Sequence, residues 1–526
     1  MDFSILDIQP TQITIEAQNT SAYLSPGKLC VFINGERAGE YEKNVITIDG
    51  LKPGTEYELT LECAGEAGTT AKSMSFATKK ETLRLNVRRF GAKGDGETND
   101  TASLQAAIMA APAGGTVYFD EGCYLTGPLF LKSNIRIHLG EGATILGVAD
   151  RSAYPVLPGL VRSDEYFDGD HEEKEYDFGT WEGNPLDCHA SLITGIDLQN
   201  VAIYGKGTID GNAGASDWWV DPKKKRTAWR PHVVFLERCS RVTLQGIRIC
   251  NSPCWTVLPY YCEDIDLLEL TIRNPDDSPN TDGIDPESST GVNIIGTDIS
   301  VGDDCIAIKS GKYYMAENHF KRTGNVTVRN CLLNHGHGSV TIGSECSGGV
   351  RRVLVEKCIF RETDRGLRIK TRRGRGKKSA IADIVFEHIV MDHVRMPFTV
   401  NMYYYCDPDG HSDYCQSKEA LPADDMTPVI ESITARDITC TGVDVSLLAV
   451  WGLPESPVGR VTLEGIKASF LPPGERTPGI PLMMDDLEPM SGKGIFVRNV
   501  RELILKNLVI DGCDDRTPDL ENVGLI

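Results

Sequence analysis

From about residue 240 onward the chain repeats one short pattern of apolar and polar positions. Residues 241–249, 291–299, 325–333, 352–360, 383–391, 432–440, 460–468 and 502–510 each carry apolar side chains at the second and fourth places. A break follows, usually a polar pair, and then another apolar stretch. Alternation with a period of two marks a strand, and the break reads as a corner. Most starts lie about 23–34 residues apart, the span of one turn of a stacked solenoid. Wider gaps before 432 and before 502 predict long loops. No helical period recurs. The pattern therefore predicts an all-β, right-handed parallel β-helix over residues 83–526, whose coils stack about 4.8 Å apart.

The first 82 residues differ. Strand-like runs at 13–17 and 29–33 flank turn signals such as Asn34-Gly35. The stretch 50–59 resembles the corner of a fibronectin type III domain, with Tyr57 as its corner tyrosine. A small fibronectin type III-like β-sandwich is expected over 1–82, ending in the polar linker 78–82. Between the two units, Asn99-Asp100-Thr101 offers helix caps ahead of the strong helix formers at 102–111. A solenoid has an open end that needs a lid, and this helix is assigned to it.

Composition narrows the function. The chain has 526 residues, 40% hydrophobic and 25% charged, with a formal charge of −21. So acidic a protein lacks the basic footprint of a nucleic-acid binder. No apolar run is long enough to span a membrane. The N-terminus shows no basic and apolar leader, so a cytoplasmic location is expected. The sixteen cysteines include no C-x-x-C pair, and neither a metal nor a cofactor is expected. Buried thiols in a reducing compartment account for them.

The repeat also serves as a ruler. On successive coils, at the strand that follows each repeat, it encounters Asp282, the pair Asp303-Asp304, His337, then Arg368 and Lys370, then Tyr404. Each motif alone has an ordinary reading as a turn or a pair of outward charges. Together, in register, they gather three carboxylates, an imidazole, two cations and a phenol on one face, which no core requires. Glycoside hydrolysis needs a protonated and an ionised carboxyl group, and crowded like charges push one pKa upward. Adjacent strand residues point to opposite sides, so Asp303 and Asp304 converge only if the backbone bends. Arg368 and Lys370 supply the positive patch that an anionic sugar requires on an acidic protein. The basic run 372–378 is expected to steer such a substrate toward the cleft.

These residues resemble glycoside hydrolase family twenty-eight, the polygalacturonases. The motifs are Asn280-Thr281-Asp282, Gly302-Asp303-Asp304, Gly336-His337-Gly338 and Arg368-Ile369-Lys370. Residues 90–96 also look like the start of a pectin-lyase-like β-helix. The resemblance implies hydrolysis of α-1,4-galacturonosidic bonds of pectin-derived galacturonan or oligogalacturonides with inversion. It implies Asp303 as general acid, Asp282 and Asp304 as water activators, and His337 as a support for the acid. Arg368, Lys370 and Tyr404 would contact the substrate, with Tyr403 and Tyr405 as neighbouring candidates. Inversion sets an expected carboxyl separation of roughly 6.5–9.5 Å. The irregular segments 149–185 and 407–428 are expected to wall off one end of the cleft and make the enzyme exo-acting. An endo-acting enzyme, a calcium-dependent pectate lyase and a non-catalytic sugar-binding β-helix remain alternatives.

Overall fold

The computed structural model of the chain describes residues 2–65, 68–163, 174–515 and 517–526. The charged and aromatic run 164–168, expected to help wall the cleft, lies outside the described residues. From residue 84 on the chain is a parallel β-helix with three ladders of strands. The first ladder holds the front half of each sequence repeat, for example Ser240–Gln245, Thr290–Ile295 and Thr323–Arg329. The second holds the back half, for example Arg248–Cys250, Asp298–Ser300 and Leu332–Asn334. The third includes Val257–Tyr260, Asp304–Ile308, Gly338–Ile342, Arg365–Lys370 and Met396–Asn401.

The corner between the first two ladders has a single cause. Gly246, Gly296, Asn330, Lys357, His388, Asp437, Gly465 and Asn507 all take left-handed backbone, with φ between 49° and 73°. One such residue turns a strand sharply, and glycine, asparagine and aspartate tolerate that conformation best. The apolar second and fourth places point inward: Val242, Leu244, Val292, Ile294, Val326 and Val328 are all buried in one continuous core. Cys331 and Cys358 belong to that core. Among the described residues no disulfide forms. The lid is the helix Thr101–Ala110, which buries Leu104, Ala107 and Ile108 against the first coils. Asp100 does not cap it. Its carboxylate instead accepts hydrogen bonds from the backbone N–H groups of Lys93 and Gly94, at 2.7 and 2.9 Å.

Seven strands between Asp2 and Ala77 form two antiparallel sheets, of three and four strands. They enclose a separate core that includes Ile13, Ile15, Leu29, Val31, Leu59 and Leu61. The Tyr57 hydroxyl accepts a hydrogen bond from the backbone N–H of Lys52 at 2.9 Å, tying the corner. The three-stranded sheet rests on the outer face of the first ladder. Buried Glu16 accepts hydrogen bonds from Arg329 at 2.7 and 2.9 Å and from Asn330 at 2.7 Å. Val45 packs on Leu268 and Ile295 beside it. A cavity of about 430 Å³ lies along this junction, lined by Lys79, Arg136, Asn200 and Arg241 among others.

Candidate active site

The site occupies the outer face of the third ladder. Ile284 bridges to Ile306, and Asp304 pairs with Gly338. Asp282, Asp304 and Gly338 therefore fall in register on three coils. The backbone bends at Gly302-Asp303 before the strand Asp304–Ile308 begins. This bend removes the usual opposition of adjacent side chains. One oxygen from each of Asp282, Asp303 and Asp304 lies within 4.8 Å of the other two.

Glycines make room for this convergence. Gly336 sits at φ 94°, and a Cβ there would lie 2.4 Å from the Asp303 carbonyl oxygen. The turn it allows lets the His337 backbone N–H reach that carbonyl at 3.0 Å. The His337 ring then faces its partner, with Nδ1 at 3.3 Å from Asp303 Oδ1. A Cβ on Gly338 would lie 2.7 Å from Asp304 Oδ1.

Arg368 and Lys370 reach Asp304 by a longer route than the ruler suggests. Arg368 pairs with Thr341, three residues beyond Gly338, so it does not stack on His337. Its length compensates: Arg368 Nη1 donates to Asp304 Oδ1 at 3.0 Å, and Lys370 Nζ donates to Oδ2 at 2.9 Å. Tyr404 lines the cleft with Lys370 Nζ over its ring at 5.3 Å. Tyr405 lines it too, stacked on His411, whereas Tyr403 is fully buried in the core.

The three carboxyl groups differ electrostatically. Burial alone would raise Asp304, but Lys370 and Arg368 hold it far below the usual carboxylate range. Burial and the nearby Asp303 push Asp282 up to about 7. Burial opposes ionisation of Asp303 as well, yet the His337 hydrogen bond lowers it on balance. His337 is raised by that same hydrogen bond. Exposure separates them further: the side chain of Asp303 is 20% exposed, against 4% for Asp282 and 1% for Asp304. By distance the trio could hold a cation. Both Asp304 oxygens already accept from cations, however, and a third cation, Lys309, stands 3.5 Å from Asp282. The donor set does not suit calcium, which takes six to eight oxygen ligands.

The surroundings bring in residues that the ruler passed over. The cleft measures about 920 Å³ and is lined by Trp181, Trp229, Trp255, Lys309, Lys312 and Glu345 as well as the residues above. Lys309 carried a visible signal, a lone charge ending the apolar run 305–308. The tryptophans come from loops with no period.

Loop segments border the cleft at both ends. At one end, the segment after Lys174–Asp177 crosses the third ladder. Asp177 accepts from the Tyr260 hydroxyl at 2.8 Å, and the Gly183 carbonyl accepts from Lys312 N at 2.8 Å. Trp181 stacks on Trp229 there, with ring centroids 4.6 Å apart. At the other end, the two long loops predicted before 432 and 502 meet. His411 Nδ1 lies 2.8 Å from Asp485 Oδ1, Gln416 Oε1 accepts from Asp485 N at 3.0 Å, and Asn401 Nδ2 donates to the Met483 carbonyl at 3.0 Å.

The basic run 372–378, expected to steer substrate, is not a free positive patch: Lys377 and Lys378 at its end pair with Asp425 and Glu317. Arg372, Arg373 and Arg375 are buried, paired with Asp407, Asp409 and Glu455. They hold the 405–416 loop in place, and their charge is neutralised locally.

The sequence model of Glycosyl hydrolases family 28 matches residues 171–469, which contain every one of these motifs. The chain belongs to this family. Upstream, residues 84–179 match the model Rhamnogalacturonase A/epimerase, pectate lyase-like. The family 28 chain is 30% identical over 399 residues to a probable polygalacturonase of Vitis vinifera, covering 74% of this chain and 75% of the relative. It is 27% identical over 471 residues to an exo-poly-alpha-D-galacturonosidase of Dickeya chrysanthemi, covering 79% and 74%. The fold matches the family 28 exopolygalacturonase of Yersinia enterocolitica with a TM-score of 0.70 at 19% identity, over 99% and 98% of the two chains. Membership makes the protein a glycosidase.

Proposed function

We propose that this family 28 enzyme hydrolyses α-1,4-galacturonosidic bonds from the end of galacturonan or oligogalacturonide chains, with inversion. One observation carries the reading: three converging carboxyl groups on the floor of a cleft that is lined by loop residues at both ends. Asp303 is the general acid, because it alone of the three is exposed enough to touch a glycosidic oxygen. It shares one proton with His337. The His337 hydrogen bond and, beyond it, Lys370 lower Asp303, so a substrate carboxylate near Lys370 cancels part of that field and raises the affinity of Asp303 for the proton it needs as an acid. Asp282 and Asp304 hold the attacking water, with Asp282 taking its proton.

The oxygens approach more closely than the roughly 6.5–9.5 Å expected for inversion. Water is still the nucleophile. Asp304 is tied by two cations and Asp282 is almost fully buried, so neither can bond to the anomeric carbon. Residues 1–82 form the fibronectin type III-like module and 83–526 the catalytic β-helix, a division supported by the two separate cores. The chemistry fits an intracellular enzyme acting on imported oligogalacturonides, consistent with the absence of disulfides among the described residues.

Proton NMR of trigalacturonate during turnover tests the reading. Early β-anomeric monogalacturonate with no unsaturated product is the expected result. Unsaturated sugars would mean elimination, an α-anomer would mean retention, and mixed oligomers from polygalacturonate with little monomer would mean internal cleavage.

A further inference from the structure

Beneath the three aspartates lies a second charged layer to which no step above assigns a task. Its centre is Lys309, at the end of the strand Asp304–Ile308, with a side chain only 4% exposed. Its Nζ stands 3.5 Å from Asp282, 3.4 Å from Asp285 and 3.4 Å from Glu345. The Trp255 ring closes the remaining side, its centroid 3.6 Å from Nζ. Glu287 lies one coil below, bridged through the backbone to Lys309. Neither Asp285 nor Glu287 has a hydrogen-bond donor on either carboxyl oxygen, and both are fully buried.

A lone ammonium among four buried carboxyl groups is an unusual arrangement for stability alone, since burying charge is costly unless it is well paired. Its orientation points to the reaction. Lys309 lines the cleft with a side chain only 4% exposed, and its Nζ faces the carboxyl group assigned to take a proton from water. We propose that Lys309 is a positioning residue for Asp282: it binds that carboxylate from below and keeps it ionised, ready to accept the proton of the attacking water. The proposal rests on the reading of Asp282 as the base.

The surroundings of both groups agree with this role. Asp282 faces Asp303, Asp304 and Asp285, all of which oppose its charge, and Lys309 and Lys370, which favour it. The thiols of Cys254 and Cys305 also lie within its field. Around Lys309 the other groups are Glu345, Asp285, Glu287 and Asp304, with the buried His232 beyond. Burial and Glu345 push Glu287 up to about 8, and burial and Asp282 push Asp285 well up. Glu345 is the ionised competitor for Lys309, held down to about 2 against its burial by Lys309 and Lys312.

The test is the pH profile of kcat/KM on trigalacturonate for Lys309→Met, Glu345→Gln and Asp282→Asn in the full chain. Lys309→Met should move the acid limb upward by about one pH unit or more, a tenfold loss on that limb with KM little changed. Glu345→Gln frees Lys309 for Asp282 and should move the limb downward. A merely structural lysine would leave the limb in place. A folded Lys309→Met enzyme with the parent's acid limb overturns the proposal. If that variant fails to fold, Glu345→Gln decides, and an unmoved limb overturns it equally. Asp282→Asn separates the two readings. Activity equal to the parent overturns Asp282 as base, whereas an inactive Asp282→Asn beside an unshifted Lys309→Met overturns only the role of Lys309.

Discussion

Replacing Gly338 with alanine should disable the enzyme without unfolding it. A Cβ at this position would lie 2.5 Å from Thr341 Oγ1, 2.7 Å from Asp304 Oδ1 and 3.5 Å from Arg368 Cδ. The first and second contacts are too short, and the two neighbours differ in how they can yield. Thr341 Oγ1 has no hydrogen-bond partner and can rotate away. Asp304 cannot rotate freely, because Arg368 and Lys370 hold its two oxygens at 3.0 and 2.9 Å. To regain ordinary contact the carboxylate must retreat by roughly 0.7 Å. Gly338 does not have a positive φ, so alanine adds no backbone strain and the cost is steric alone. Overpacking of this kind destabilises by about 1–3 kcal/mol, which a long β-helix survives. Misplacing a reacting group by about 1 Å costs about 100-fold in rate, or about 2.7 kcal/mol at the transition state. Steady-state kinetics on trigalacturonate, with circular dichroism and a melting curve as controls, should show kcat down about 100-fold and the fold intact. A Gly338→Ala enzyme within about threefold of the parent would refute the claim that Asp304 is fixed in place.

The remaining expectations are shorter. Asp303→Asn should lower kcat by about 10²–10⁴-fold with binding retained, as for loss of a general acid; binding measured by calorimetry separates this from misfolding. The parent's kcat/KM should fall below pH about 7, where Asp282 gains a proton, and fall again on the alkaline side as His337, raised above its ordinary value, loses one. The two limbs belong to the coupled cluster and not to single residues, but His337→Gln should abolish the alkaline limb while keeping the acid one. Glu16→Ala leaves Arg329 only its 3.5 Å contact with Glu356 and removes the partner of Asn330 Nδ2 at the junction of the N-terminal sheet with the first ladder. Because Arg329 is about a quarter exposed, the loss should be about 2 kcal/mol, visible as a lower melting temperature with unchanged kcat.

Much of the fold was legible because a β-helix writes its period into the chain. The inward second and fourth places, such as Val326 and Val328, and the corner residues, such as Asn330 and Asp437, follow from strand alternation and left-handed backbone. The aspartates were legible for the same reason, since Asp282 and Asp304 fall in register. What escaped the ruler depends on side-chain length and on loops. Arg368 sits out of line with His337 and reaches Asp304 only through its length. Arg372, Arg373 and Arg375 look like a solvated basic run, yet they meet Asp407, Asp409 and Glu455 from distant segments. Pairing across dozens of residues leaves no local trace. Lys309 was visible as a charge after apolar residues, but its partners Asp285 and Glu345 are known only once the coils are stacked.

The contact between His411 and Asp485 draws two long loops together at one end of the cleft. A groove open at both ends lets a polymer slide forward after each cut. A pocket with one mouth does not: each released sugar blocks the exit until it leaves, and the shortened chain must withdraw and re-enter. Turnover on a long polymer is then limited by the number of free chain termini and not by the mass of polysaccharide. Solutions would keep their viscosity while reducing sugar accumulates, and an enzyme that cuts internally would accelerate this one by multiplying its points of entry.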